Sequence, residues 1–267
     1  MKVKTIAIDS DVESVLRSAK LDGNNLVIQG QLDRKLYDKF MKVAEKIGFK
    51  WNRKLGCHVG EGDSVAKLKE ALASGKVVDE KQTYQFFETP PAVADRLVSF
   101  AGIKSGDKVL EPSGGKGSIV RAIQRGCPSL MVVHVCELNP QMASDLATLA
   151  EASRIAGHGD VVVTCCDFLG HEEKYDKIVM NPPFTAGQDI SHVRHAYDLL
   201  ERGGTLVSVM SPSWRHNSFK KATEFRTWLE GKMFNDMAYV EDIEAGTFSG
   251  SGTEVATVIV VVHKPKD

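Results

Sequence analysis

Between residues 108 and 210, short apolar runs alternate with segments of helical period, and each run up to residue 180 ends in a polar tip. Lys108 to Glu111, Val132 to Glu137, Val161 to Cys165, Lys177 to Met180 and Leu206 to Met210 read as strands. Helices are expected over Ile119–Gln124, from Asn139-Pro140 to about Ala156, over His192–Leu200 and over residues 219 to 230. A turn at Gly203-Gly204 should precede the fifth strand. Ala238–Asp242 and Val255–His263, joined through Gly246, Gly250 and Gly252, bring the strands to seven. Such alternation packs helices on both faces of one sheet, with right-handed crossovers. The expected fold is α/β, a doubly wound and mostly parallel sheet.

Open sheets of this kind bind ligands beyond the carboxyl ends of their strands. Here those ends carry Glu111-Pro112 with the loop Ser113-Gly114-Gly115-Lys116-Gly117-Ser118, then Glu137, then Asp167-Phe168, then Asn181-Pro182-Pro183-Phe184. The glycines let a ligand approach the backbone near a helix N-terminus. The loop has neither the G-K-[ST] of a Walker A loop nor a G-x-G-x-x-G. Glu137 can accept from two ribose hydroxyls, and Asp167 from an exocyclic amine with Phe168 covering the ring. Each Pro holds the residue before it extended and lacks an N–H, so the Asn181 loop offers mainly acceptors beside the ring of Phe184. That combination suits a planar group bearing an NH₂. Thr89 is expected to cap a helix that opens at Pro90-Pro91, carries Val93, Ala94, Leu97, Val98 and Ala101, and closes at Gly102. Phe87 suits the cofactor cleft or the core.

Residues 1–80 read as a separate small α/β module and residues 81–267 as the main domain. In the module, Lys4–Ile8 and Leu26–Ile28 read as strands, with a helix between them that starts at Asp9 or Ser10. Leu32, Leu36, Phe40, Val43, Ala44 and Ile47 form the apolar stripe of a second helix that Gly48 closes. Residues 49–59 read as a hairpin, and a last helix runs from Asp63 or Ser64 to Gly75. Lys76–Gln85 shows no periodicity and reads as a linker. From Asp33 to Lys54 there are eight Lys/Arg against three Asp/Glu, so Lys35, Lys39, Arg53 and Lys54 are candidates to follow a phosphate backbone. Trp51 and His58 can stack on a base, although core packing is the expected role of Trp51. In the main domain, Trp214, Arg215 and Lys220 follow a strand tip and can line a substrate groove.

The formal net charge of −1 excludes a polycation, so nucleic-acid contact requires local patches. The longest apolar run, Val258 to Val262, is too short to span a bilayer, and no secretory h-region follows Met1. Five cysteines without a CxxC pair suggest free thiols in a reducing cytoplasm, and no metal site is expected.

The stretch from about residue 84 to 263 resembles class I S-adenosylmethionine-dependent methyltransferases of the amino-methylating kind. Phe87-Glu88-Thr89-Pro90-Pro91 resembles the family segment that helps hold the methionine end of the cofactor. Leu110 to Gly117 resembles the Gly-rich first motif, and Cys136 to Pro140 the ribose-binding acid motif. Cys166-Asp167-Phe168 resembles the adenine-binding motif, and Asn181 to Phe184 the catalytic one. Their order is similar to the γ arrangement of DNA adenine-N6 methyltransferases, and the module around Lys50-Trp51-Asn52-Arg53-Lys54 to one that precedes such domains in phage and mobile-element proteins. Lys116 departs from the small residues common in the Gly loop, and no large C-terminal recognition domain is expected. The resemblance implies a seven-stranded Rossmann-like methyltransferase sheet and S-adenosylmethionine as cofactor. The implied cofactor residues are Phe87, Thr89, Pro90, Glu111, Pro112, Ser113, Gly114, Gly115, Gly117, Glu137, Leu138, Asp167, Phe168 and Asn181. Asn181, Pro182, Pro183 and Phe184 would carry catalysis, with Phe184 on the base.

The leading expectation is methylation of adenine N6 in DNA. The alternatives are RNA adenine, cytosine N4 or protein glutamine as acceptor, or a non-catalytic nucleic-acid-binding protein on the same fold.

Overall fold

The computed structural model describes residues 4–79, 87–126, 132–157, 159–248 and 256–266. The chain divides into two compact units, residues 1–84 and 85–267.

In the first unit, β1 (Thr5–Ala7) pairs antiparallel with β6 (Lys76–Val78). A second sheet has the order β2 (Lys20–Asp22), β3 (Asn25–Val27), β5 (Cys57–Gly60), β4 (Phe49–Asn52). Helices α1 (Ser10–Ser18), α2 (Arg34–Ile47) and α3 (Ser64–Ser74) complete it. The best-specified element is α2. Its stripe Phe40, Val43, Ala44 and Ile47 is buried, and Asp33 caps its start by accepting from the Leu36 N–H at 3.0 Å. Gly48 ends it in the left-handed region at φ 101, and a Cβ there would stand 2.5 Å from Ser64 Oγ. Gly48→Ala is therefore expected to destabilise this unit by about 1–2 kcal/mol or more, read as a lower urea midpoint.

Two expectations fail here. The supposed linker contains β6, with Val77 buried and Asp79 paired to Lys46 at 2.6 Å. Residues 80–85 of that stretch lie outside the described residues. The strand β2, hairpin partner of β3, was not expected at all. Both are three-residue strands, too short to show a period.

The second unit holds the seven-stranded sheet in the order β12 (Ala238–Ile243), β13 (Thr257–His263), β11 (Leu200–Met210), β10 (Tyr175–Met180), β7 (Lys108–Glu111), β8 (Val132–Glu137), β9 (Asp160–Cys165). β13 is antiparallel to both its neighbours, and the pairs from β11 to β9 are parallel. The expected doubly wound, mostly parallel fold is what the chain forms. Its helices are α4 (Pro91–Ala101), α5 (Ser118–Gly126), α6 (Pro140–Ile155), α7 (Gln188–Asp198) and α8 (Lys220–Phe234).

Period-two alternation splits each central strand between two cores. Ile178 and Met180 join one with Val258, Val260 and Val262, and with residues of α7 and α8. Val179 joins the other with Ile259, Val261, Val109 and Val133, beneath residues of α4 and α5. Continuous apolar runs such as Val258–Val262 are what two-sided burial demands.

β11 corrects the reading of Gly203-Gly204 as a plain turn. The β10–β11 register jumps from Tyr175↔Leu200 to Lys177↔Thr205, so those glycines sit in a bulge within one long strand. α7 runs four residues ahead of its expected start because Gly187, at φ 67, turns the chain straight into it. Phe86, Val255, Gly250 and Gly252 lie outside the described residues.

Candidate active site

Strand order places the polar tips side by side, running Asp167 (after β9), Glu137 (β8), Glu111 (β7) and Asn181 (after β10). The chain direction of sheet growth reverses between β7 and β10, where open α/β sheets form their ligand crevice.

The Gly loop is bound to the β8 tip. Gly114 N–H donates to the Cys136 carbonyl at 3.0 Å and Gly115 N–H to Glu137 Oε2 at 2.7 Å. Gly117 N–H donates back to the Gly114 carbonyl at 2.8 Å, closing a tight turn. A Cβ at Gly114 would stand 2.5 Å from Val135 Cγ1 and 2.7 Å from Leu146 Cδ1, so the loop lies against β8 and α6 with no room for a side chain. Pro112 is buried and Ser113 partly so. Lys116 is exposed and ion-paired with Glu88 at 3.5 Å.

Glu137 also accepts from the Asn139 N–H at 2.7 Å through Oε1, so each of its oxygens already holds one backbone N–H. Each keeps a second lone pair for a hydroxyl. Asn139 caps α6, and Leu138 beside it is exposed. Glu111 is buried, and burial together with the nearby Glu137 charge raises its pKa well above the usual carboxylate range. Among the described residues its Oε2 finds no hydrogen-bond partner. A buried orphan oxygen at a strand tip is a group with hydrogen-bonding capacity left for a ligand.

Asn181 closes the other side. Its Nδ2 donates to the Phe87 carbonyl at 3.2 Å and to Thr89 Oγ1 at 3.0 Å. This corrects the expectation for Thr89, whose hydroxyl receives the Asn181 amide while Pro90 stands at the helix start without a side-chain cap. With both N–H groups of the amide directed at these two acceptors, Oδ1 is left as an acceptor. Pro182 is buried, Pro183 partly buried, and Phe184 partly buried against the second core.

Of the other candidates, Phe168 and Trp214 are core residues, which corrects their expected roles, and the rest keep accessible surface. Phe168 is core, packed against the rings of His192 and His195, and Asp167 Oδ1 accepts from the Leu169 N–H at 3.1 Å. Trp214 is buried against Phe225 and is not a groove wall. Arg215 pairs with Asp242 at 2.6 Å, and Lys220 is exposed. Lys39 pairs with Asp9 at 2.6 Å, whereas Lys35, Arg53 and Lys54 are exposed. Trp51, expected in the core, is 50% exposed.

One residue escaped the sequence reading. Asp189 is buried just after the Asn181 loop and accepts from the Ser211 N–H at 3.1 Å, tying the β10 exit to the β11 exit. Burial raises its pKa to about 6, with the Ser211 and Ile190 N–H groups opposing. The folded carboxyl thus holds its proton more tightly than the unfolded one, so its contribution to stability is full below about 4 and is lost as pH rises through about 6. Across that window the loss is on the order of 3 kcal/mol at most, and Asp189→Asn is expected to abolish it, read as urea midpoints against pH.

Among the described residues no cluster of three or more His, Cys, Asp or Glu is placed to hold a metal ion. No helix among them is long and apolar enough to cross a membrane.

The family model for the methyltransferase small domain matches residues 96–231, just over half the chain. The chain belongs to this family. Its sheet is that of class I S-adenosylmethionine-dependent methyltransferases. A modification subunit assigned to a type I restriction enzyme of Vibrio vulnificus YJ016 superposes at TM-score 0.55 and 15% identity, covering 94% of this chain and 60% of that one. An assigned RNA methyltransferase of Pyrococcus horikoshii gives 0.50 at 16%, covering 68% and 88%. TrmN of Thermus thermophilus gives 0.49 at 16%, covering 78% of this chain, which spans only 55% of TrmN. No curated protein sequence matches the chain.

Family and fold imply S-adenosylmethionine as cofactor, and the residues fit it. The glycine cradle at Gly114 and Gly117 has no space for Cβ atoms, and Glu111 Oε2 is an orphan.

Proposed function

We propose that this methyltransferase transfers a methyl group from S-adenosylmethionine to the exocyclic N6 amine of adenine in DNA. The observation that carries the reading is the Asn181 amide, oriented by Phe87 and Thr89 so that its carbonyl oxygen is the available group.

S-adenosylmethionine, when bound, supplies a sulfonium methyl already activated as an electrophile. Glu137 would hold the ribose hydroxyls, the Gly114–Gly117 backbone would lie against the amino-acid portion with Glu111, and Asp167 would accept from the adenine amine. An exocyclic amine is a poor nucleophile, because its lone pair is delocalised into the ring. Asn181 Oδ1 and the Pro182 carbonyl would accept its two N–H groups and free the lone pair. They would also stabilise the positive charge that develops on nitrogen, which then gives up one N–H proton to water. Phe184 would stack on the base, which a duplex must flip out. Arg215 and Lys220 in the second unit would meet the strand, and Lys35, Arg53 and Lys54 are the phosphate-contact candidates of the first unit.

DNA is preferred on the motif order. Structural relatives at 15–16% identity include both a restriction-modification subunit and an RNA methyltransferase, and they share the fold without choosing between nucleic acids. The deciding assay supplies labelled cofactor with duplex DNA, single-stranded DNA, total RNA and a protein lysate in parallel. Labelled N6-methyladenine in DNA is expected. Label confined to RNA or protein would overturn the substrate and keep the chemistry.

A further inference from the structure

The first unit contains a feature that the methyltransferase chemistry does not use. A cavity of about 420 Å³ is bounded by Tyr37 of α2, by Trp51 and His58 of the β4–β5 hairpin, and by the loop from Ile28 to Leu32. That volume lies within the range of small-molecule sites. Its walls are unusually aromatic. The Trp51 and His58 rings stand 5.0 Å apart, and Tyr37 lies 6.2 Å from His58. Trp51 is half exposed, which for so large an apolar ring leaves a broad stacking surface facing solvent.

His58 is the second observation. It is fully buried, and its Nε2 meets Met41 Sδ at 3.2 Å. Among the described residues its Nδ1 makes no hydrogen bond within normal limits, although the Leu26 backbone partly offsets the effect of burial on the ring's pKa. Burial lowers the pKa, so the ring is held neutral and keeps an unused polar atom.

Charge supplies the third. Arg53 and Lys54 lie in the turn that leads into the cavity wall at Gly56 and Cys57. These two cations make no ion pair with another described residue. A planar aromatic ligand carrying adjacent negative charge matches all three observations.

We propose that this cavity receives an unpaired nucleobase of a polynucleotide strand, stacked on Trp51, with the flanking phosphates held by Arg53 and Lys54. The site belongs to the first unit and the reacting base to the second, and it gives the enzyme a grip on single-stranded or frayed substrate. It rests on the nucleic-acid reading of the function.

The test uses the full chain and a fluorescent single-stranded oligodeoxynucleotide of mixed sequence, with binding followed by anisotropy at low salt. Because Trp51 is half exposed, Trp51→Ala should fold. It is expected to weaken binding roughly tenfold or more, and Trp51→Phe to restore most of it. Arg53→Ala with Lys54→Ala should weaken binding and flatten its salt dependence. Calorimetric titration with S-adenosylmethionine should be the same for all variants. Wild-type affinity in Trp51→Ala, or duplex bound as tightly as single strand with Trp51 irrelevant to both, would overturn the proposal and leave methyl transfer to nucleic acid intact. Failure of the wild type to bind any oligonucleotide would remove both, and Asn181→Ala binding the strand normally without transfer would show that only the reaction was lost.

Discussion

Replacing Asn181 by alanine is expected to lower the rate of methyl transfer by at least about a hundredfold, the loss seen when one positioned group facing developing charge is removed. The affinity for S-adenosylmethionine should stay within a few fold, because the Gly loop and the Glu137 tip are untouched. Asn181 is only partly buried, and its amide bonds end on Thr89 and the Phe87 carbonyl, so truncation leaves one hydroxyl and one carbonyl to be satisfied by water. Asn181→Asp separates geometry from chemistry. A carboxylate cannot donate to Thr89 and Phe87, so the loop should lose its orientation although two acceptors remain. Single-turnover rates with saturating cofactor would read the difference. An alanine variant that turns over at the wild-type rate would remove the amide from the mechanism.

The second large effect is expected at Glu137. Its two oxygens hold the Gly115 and Asn139 N–H groups at 2.7 Å each, so one side chain fixes both the cofactor loop and the start of α6. Glu137→Ala leaves two buried donors without partners, at about 1–3 kcal/mol each, so a stability loss of about 2–4 kcal/mol is expected after relaxation. The cofactor Kd should rise by roughly two orders of magnitude, since the ribose contact and the loop that frames it are lost together. Glu137→Gln should fall between the two, because its NH₂ opposes one of the N–H groups. Thermal melts with and without saturating cofactor would check this. A variant that melts lower yet gains as much from cofactor as the wild type would confine Glu137 to a structural part.

Much of this arrangement is legible in the sequence, for physical reasons that differ by element. α2 is marked by cap, stripe and C-terminal glycine at once, and the Asn181 loop by two prolines that dictate backbone shape. The strand tips follow from where apolar runs stop. What escapes the sequence depends on tertiary context. β2 and β6 have three residues each and form only because a partner strand is presented to them. The glycine pair at 203 and 204 signals a turn correctly in local terms, but the flanking ladders absorb it as a bulge. Aromatic residues are the least predictable. Trp51 and Trp214 have similar polar neighbours, yet one is half exposed and the other packs on Phe225. Burial of a ring depends on what the rest of the chain leaves beside it. Asp189 passed unnoticed because nothing local announces that a helix-start carboxylate will be buried under the backbone of residue 211.

The place of β13 has a consequence for how the protein is made. This strand is the last of the seven to leave the ribosome, yet it lies inside the sheet, between β11 and β12. Until residues 257–263 emerge, β11 presents an unpaired edge of apolar backbone and β12 has no neighbour at all. Closing the sheet pairs β13 with β12, its neighbour in sequence, and with β11 on the far side of α8 and β12, the second being the slower kind of contact to form. A nascent chain paused before that point carries an open edge of the kind that pairs with other chains. Synthesis speed and chaperone capture while residues 257–263 have yet to emerge should therefore affect the yield of folded enzyme.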